Sequence, residues 1–194
     1  MEQVKDRLVA IAPCYDRQGG NSTLIYTHSG EIIPDQRTVK WNLRRLARLY
    51  SVDLQAVRQN YGAYLGCRQG VPLPFSTALV LVPLKLRLPV GKNDGCYGYI
   101  NVLAVESFQP DADCRGRCII KLAGGHSLTC LYTFRTVQKK MGLGKIALDC
   151  YQRSRELPEY SSLLPVWLSA SGWKLLESLI KAIIQETTNS SLSE

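Results

Sequence analysis

Between Arg37 and Arg68 the chain carries seven basic side chains, Arg37, Lys40, Arg44, Arg45, Arg48, Arg58 and Arg68, against a single carboxylate, Asp53. Trp41, Tyr50, Tyr61 and Tyr64 are threaded among them. An acidic or zwitterionic surface would alternate signs along such a stretch. A one-signed ridge on a small domain points instead to a polyanion, of which nucleic acid is the commonest. The plainer reading is solvated surface, with the long stems lying on apolar neighbours and the charged heads in water. The net charge of +8 and an isoelectric point near 9.2, with the excess concentrated in this stretch, favour binding.

A second group with chemical potential is Cys114, Cys118, His126 and Cys130, which could supply the four soft ligands of a tetrahedral zinc site. Their spacing matches no standard knuckle. Residues 118–122 and 127–132 read as two strands around a 123–126 turn, and within them Cys118 and Cys130 alternate with apolar neighbours, as core thiols do. Seven cysteines, an odd number scattered among apolar residues, fit reduced thiols better than a disulfide framework. No cofactor and no metal is expected. Neither His28 nor His126 has a serine or cysteine nucleophile context, and Gly142-Leu-Gly144-Lys145 lacks the spacing of a phosphate loop.

The elements that must position these residues are legible in outline. A helix over 38–50 would stack Val39, Leu43, Leu46 and Tyr50 into one buried stripe and raise Lys40, Arg44 and Arg48 on another face, with Arg37 and Arg45 flanking them. Asp53 is a fair N-cap for a second helix over 54–64, with Gly66 as its stop. Short strands are expected over 8–13 and 23–27, with Gly30 and Pro34 marking a loop. Strand-rich sequence over 78–88 and 96–108 flanks a turn at 91–95. Helical spacing returns after Phe134 through Val137, Met141, Ile146 and Cys150. An amphipathic helix follows over 171–185, its broad apolar face facing either the core or a second subunit. Residues 187–194 are small and polar and read as a disordered tail. The fold class is therefore α+β, an antiparallel sheet with packed helices, in a single domain over 1–186. No apolar run approaches the roughly 20 residues of a membrane span, and the N-terminal run 8–12 lacks the length of a secretion signal. The cytoplasm is the expected location.

Within the basic stretch, residues 46–58 resemble the core of a helix-turn-helix: Ala47 lets the helices cross, Ser51 takes the turn position where glycine is commonest, and Val52 and Val57 fill the angle. A wider resemblance runs over about residues 50–135. Tyr50-Ser51, Arg58, Arg68 ahead of Val71-Pro-Leu-Pro74, Leu79-Val80-Leu81-Val82-Pro83, Lys85 and Gly95-Cys96-Tyr-Gly-Tyr-Ile100 follow the order of motifs in the ComK family of competence transcription factors. A glycine-containing turn at Gly124-Gly125-His126 falls in the corresponding place. The chain departs from the family's pattern at Lys85-Leu-Arg87, where a Pro-Thr-x-Ser sequence is usual, and at Gly98, where an aromatic residue is usual. The resemblance implies a transcription activator that recognises A·T-rich double-stranded DNA, mainly through the minor groove, as associated dimers or higher homo-oligomers. A regulatory adaptor protein is a further expected partner, and no membrane is.

The surface expected to meet DNA comprises Arg37, Lys40, Arg44, Arg45, Arg48, Gln55, Arg58, Gln59, Arg68, Lys85 and Arg87. Two other readings stand beside it. One is a non-catalytic adaptor or sensor whose sheet binds a protein or small ligand; the other is a hydrolase or transferase using cysteine or histidine chemistry.

Overall fold

A computed structural model of the chain describes residues 1–92 and 94–155. The chain divides into two compact units, Met1–Gln152 and Arg153–Glu194, and the described strands and helices lie in the first, save the last residue of the final helix. The expected helix over 171–185, the tail over 187–194 and the domain limit at 186 lie outside the described residues.

The fold is mixed α+β. Its centre is a six-stranded antiparallel sheet built from β1 (Leu8–Tyr15), β2 (Asn21–Thr27), β3 (Ile32–Asp35), β4 (Leu73–Ser76), β5 (Leu79–Lys85) and β6 (Tyr97–Asn101), in the order β3-β2-β1-β6-β5-β4. The register sets Ile11 opposite Ile25, Ala10 opposite Ile100, and Val82 opposite Ile100. Because successive side chains point to opposite faces, β5 delivers Val80, Val82 and Leu84 to one core and Leu79 and Leu81 to another. The middle of the sheet is thus buried on both sides, and β1 and β5 read as nearly continuous apolar runs.

The second core lies under α1 (Val39–Leu49). Val39, Leu43, Leu46 and Ala47 pack there with Leu8, Ile11, Ile25, Leu73 and Phe75, and Val4 of a 3-10 turn over Glu2–Arg7 joins them. The Thr38 hydroxyl caps α1 by accepting from the Trp41 amide at 3.3 Å. At its other end Ser51 adopts a left-handed φ of 53°, and the Val52 amide donates back to the Ala47 carbonyl at 2.9 Å, a Schellman closure. Asp53 then caps α2 (Leu54–Tyr64), accepting from Gln55 N at 2.7 Å and Ala56 N at 3.2 Å. Val52, Leu54 and Val57 lean on the same core, so the two helices are joined by a tight, packed corner.

The first core is closed by a three-stranded antiparallel sheet, β7 (Val105–Pro110), β8 (Cys118–Leu122) and β9 (His126–Cys130), and by α3 (Phe134–Arg153). Gly144 makes the approach of α3 possible: a Cβ there would stand 2.5 Å from Val82 Cγ2. The stripe that α3 buries is Val137, Met141, Gly144, Ala147 and Leu148, whereas Ile146, expected on it, is exposed.

Two expectations about strands are corrected. The single strand expected over 96–108 is two strands in different sheets, broken at Asn101, which is only 2% exposed. Its side chain accepts from Leu103 N and Val80 N and donates to the Ala78 and Leu8 carbonyls, so the buried amide is satisfied and also caps the 3-10 turn over Val102–Ala104 at which the chain leaves the first sheet. The loop expected around Gly30 and Pro34 is instead a tight turn followed by β3. Proline is tolerated there because β3 is an edge strand.

Candidate nucleic-acid interface

Three adjoining depressions, of about 390, 510 and 460 Å³, open on the surface formed by α1, α2, the start of α3 and one end of the central sheet. The first is lined by Thr38 at the cap of α1, Val39, Lys40 and Leu43 of α1, Arg58 of α2, Pro13, Asn21, Ser22, Tyr97 and Tyr99 of the sheet, and Arg87 and Gly95 beside them. Arg58 also borders the second, with Gln59, Gly62, Ala63, Gly66, Cys67 and Arg68. Cys67 passes the boundary on to the third, with Gln69, Arg135, Thr136, Lys139, Lys140 and Leu143. From end to end the lining presents seven cations, Lys40, Arg58, Arg87, Arg68, Arg135, Lys139 and Lys140, and no carboxylate among these residues. The arrangement is a basic trough, and low-dielectric walls of one sign focus its field outward.

Beside the trough the positive charge is reinforced. Lys85 Nζ and Lys140 Nζ each stand 5.5 Å from the Tyr132 ring centroid, so two ammonium groups share one aromatic ring. The Tyr132 hydroxyl meets that of Tyr97 at 3.2 Å, and burial first, then this bond, pushes its pKa up. Gly70 lies directly against Lys140 Nζ with φ of 67°, a conformation that disfavours any larger residue there.

The residues singled out from sequence separate into groups. Lys40, Arg58, Gln59 and Arg68 are exposed and line the trough, and Lys85 borders it through Tyr132. Arg37 and Arg45 clasp the Trp41 ring, their guanidinium carbons 3.9 and 5.5 Å from its centroid. Arg44 and Arg48 are exposed on α1 and Gln55 on α2, none of them lining the three depressions. Arg87 is different in kind. It donates to the Gly95 carbonyl at 2.7 and 3.1 Å, to the Cys14 carbonyl at 2.7 Å and to Asn21 Oδ1 at 2.6 Å, and it stacks 4.1 Å over Tyr15. Asp94 completes this clasp by accepting from Tyr15 Oη at 2.6 Å, Asn21 Nδ2 at 2.8 Å and Gly91 N at 2.7 Å. The Tyr15 hydrogen bond above all, then that from Asn21, holds the Asp94 carboxyl well below the usual carboxylate range. Arg87 therefore ties the β1–β2 and β5–β6 connections together.

Sequence reasoning missed the far wall. Arg135 and Lys139 are exposed one helical turn apart at the start of α3, a spacing visible in the sequence of a helix inspected only for its apolar stripe. Tyr97 and Tyr99 entered only as part of the motif over 95–100 and not as site residues.

The cysteine and histidine group does not converge; among the described residues no three His, Cys, Asp or Glu side chains gather as a metal site would require. Cys118 and Cys130 are cross-strand partners with no exposure, inside the first core. Burial raises both thiols, Cys130 to about 11. His126 sits four residues from Cys130, some 13 Å along a strand, with Nε2 donating to the Thr27 carbonyl at 2.9 Å and its ring edge-on to Tyr26. Gly142 to Lys145 lie inside α3 and form no loop. Among the described residues no helix is long and apolar enough to cross a membrane.

Comparison with known protein families, characterised proteins and solved structures found no match to this chain.

Proposed function

We propose that the chain is a DNA-binding transcriptional regulator that seats the phosphate backbone of double-stranded DNA in the trough. The observation that carries this reading is the lining of three adjoining depressions by seven cations without a carboxylate. Arg87 is taken up in the clasp with Asp94, and the other six cations have no carboxylate beside them in the lining, so an anionic polymer gains both the direct attraction and the release of its own counterions. Arg58, Arg68, Arg135 and Lys139 are the exposed cations best placed to meet phosphates. The resemblance to competence transcription factors supports A·T-rich targets read in the minor groove, where a narrow groove deepens the potential that draws arginine. The apolar face predicted over 171–185 would hold two copies together, making the second contact with DNA effectively intramolecular.

The test is the anisotropy of a labelled A·T-rich duplex titrated with protein over a range of salt. Four phosphate contacts give a log–log slope of about −3.6, at about −0.9 per phosphate. A slope shallower than about −1, the value for a single contact, would remove the trough from consideration as a phosphate track.

A further inference from the structure

The first depression differs from the other two in having an aromatic floor. Tyr97 and Tyr99 are two residues apart on β6 and point to the same face of the central sheet, the face that α1 covers further along. Cross-strand register sets Lys85 beside Tyr97 and Pro83 beside Tyr99, and Pro13 of β1 lines the same depression. The Tyr97 hydroxyl is tethered to Tyr132 while the residue as a whole remains 39% exposed, so the side chain is oriented before any ligand arrives. Lys40 and Arg58 stand at the rim. A volume of about 390 Å³ is within the range of small-ligand sites, roughly 300–1,000 Å³.

Phosphate binding alone needs no such floor. A duplex hides the faces of its bases in its own stack, so rings on an open sheet face gain nothing from it, whereas an unpaired strand offers a π-face at every nucleotide. We propose that Tyr97 and Tyr99 form a stacking platform for unpaired bases, so that the trough accepts single-stranded nucleic acid, its backbone held by Lys40 and Arg58 and its bases laid on the tyrosine rings. This inference rests on the polyanion reading of the trough and adds to it a preference that charge cannot supply.

The experiment measures binding of a labelled oligothymidylate, a duplex of the same length and inorganic polyphosphate as competitor to wild type, Tyr97→Ala and Tyr97→Phe, with circular dichroism confirming the fold of each. Loss of one stacked base corresponds to about a ten-fold loss of affinity. Tyr97→Ala is therefore expected to raise the Kd for the single strand about ten-fold more than it raises that for the duplex. Tyr97→Phe, which keeps the ring and gives up the hydroxyl bond, should restore strand binding to within about two-fold of wild type, since the stacking surface is intact. Polyphosphate, with charge and no bases, should displace the strand more readily from Tyr97→Ala than from wild type. Equal losses for strand and duplex, or no loss with Tyr97→Ala, would overturn the platform while leaving the polyanion reading in place. Failure of both nucleic acids to bind wild type in a salt-dependent way would overturn both.

Discussion

Removing Arg135 and Lys139 together tests whether α3 forms one wall of the binding surface. Both side chains are exposed and sit one turn apart on the helix, lining the third depression with Lys140. Neither is buried, so their replacement by alanine should change stability by no more than about 0.5 kcal/mol. Each phosphate contact contributes about 0.9 to the salt slope, which at 0.1 M salt amounts to roughly eight-fold in affinity. The double variant should therefore flatten the slope by about 1.8 and weaken duplex binding about 60-fold at 0.1 M. The comparison is Arg44→Ala with Arg48→Ala on α1, two cations that are also exposed and lie outside all three depressions. That pair removes the same formal charge but lines none of the depressions, so it should flatten the slope clearly less than the α3 pair does. Fluorescence anisotropy from 0.05 to 0.3 M salt, with far-ultraviolet circular dichroism as the folding control, reads both. Equal flattening by the two pairs, or flattening by the α1 pair alone, would refute the trough and return the interface to the ridge that the sequence suggested.

Three further outcomes concern the scaffold. Arg87→Met should lower stability by about 2 kcal/mol in denaturant unfolding, since it strips donors from the Cys14 and Gly95 carbonyls and from Asn21. Gly144→Ala should destabilise, because overpacking against Val82 costs about 1–3 kcal/mol and outweighs the helix-propensity gain of about 1 kcal/mol, while Gly142→Ala, with open space around its Cβ, should stabilise by up to that gain. Burial raises the Cys130 pKa from 9.0 to about 11, so the unfolded chain releases this proton first as pH rises. The stabilisation is complete below pH 9 and is lost towards pH 11, by about 2–3 kcal/mol, which pH-dependent unfolding of wild type against Cys130→Ala should show as a steeper alkaline loss for wild type.

Local signals in the sequence translated well into local structure. Asp53 caps α2, the α1 stripe is buried, and the 118–132 hairpin forms with Cys118 facing Cys130. Ser51 occupies its turn in the left-handed conformation that glycine usually takes. Asn101 is the instructive failure. It sits inside the run expected as one strand, and its buried amide, bonded to Val80, Leu8, Ala78 and Leu103, marks the point where that run passes from one sheet to the other. The candidate site was half legible for a related reason. Charge density along α1 and α2 is a property of adjacent residues, whereas the placing of Cys67 and Gln69 in one depression with Arg135 and Lys139 depends on how α3 packs on the sheet, where Gly144 permits its close approach and no local pattern reveals it. Arg87 shows the converse, a cation that belongs to the basic count by composition and to the scaffold by geometry.

Cysteine footprinting measures occupancy of the trough most directly. Cys67 is partly exposed where the second and third depressions meet, and Cys114, also partly exposed, lies in the connection before β8. Alkylation of the native protein, followed by mass spectrometry of each cysteine, is compared with and without saturating duplex. DNA seated in the trough should slow labelling of Cys67 several-fold and leave Cys114 unchanged, with the protection lost at 1 M salt as the phosphate contacts dissolve. Equal labelling of Cys67 with and without duplex would contradict the assignment of this surface to DNA.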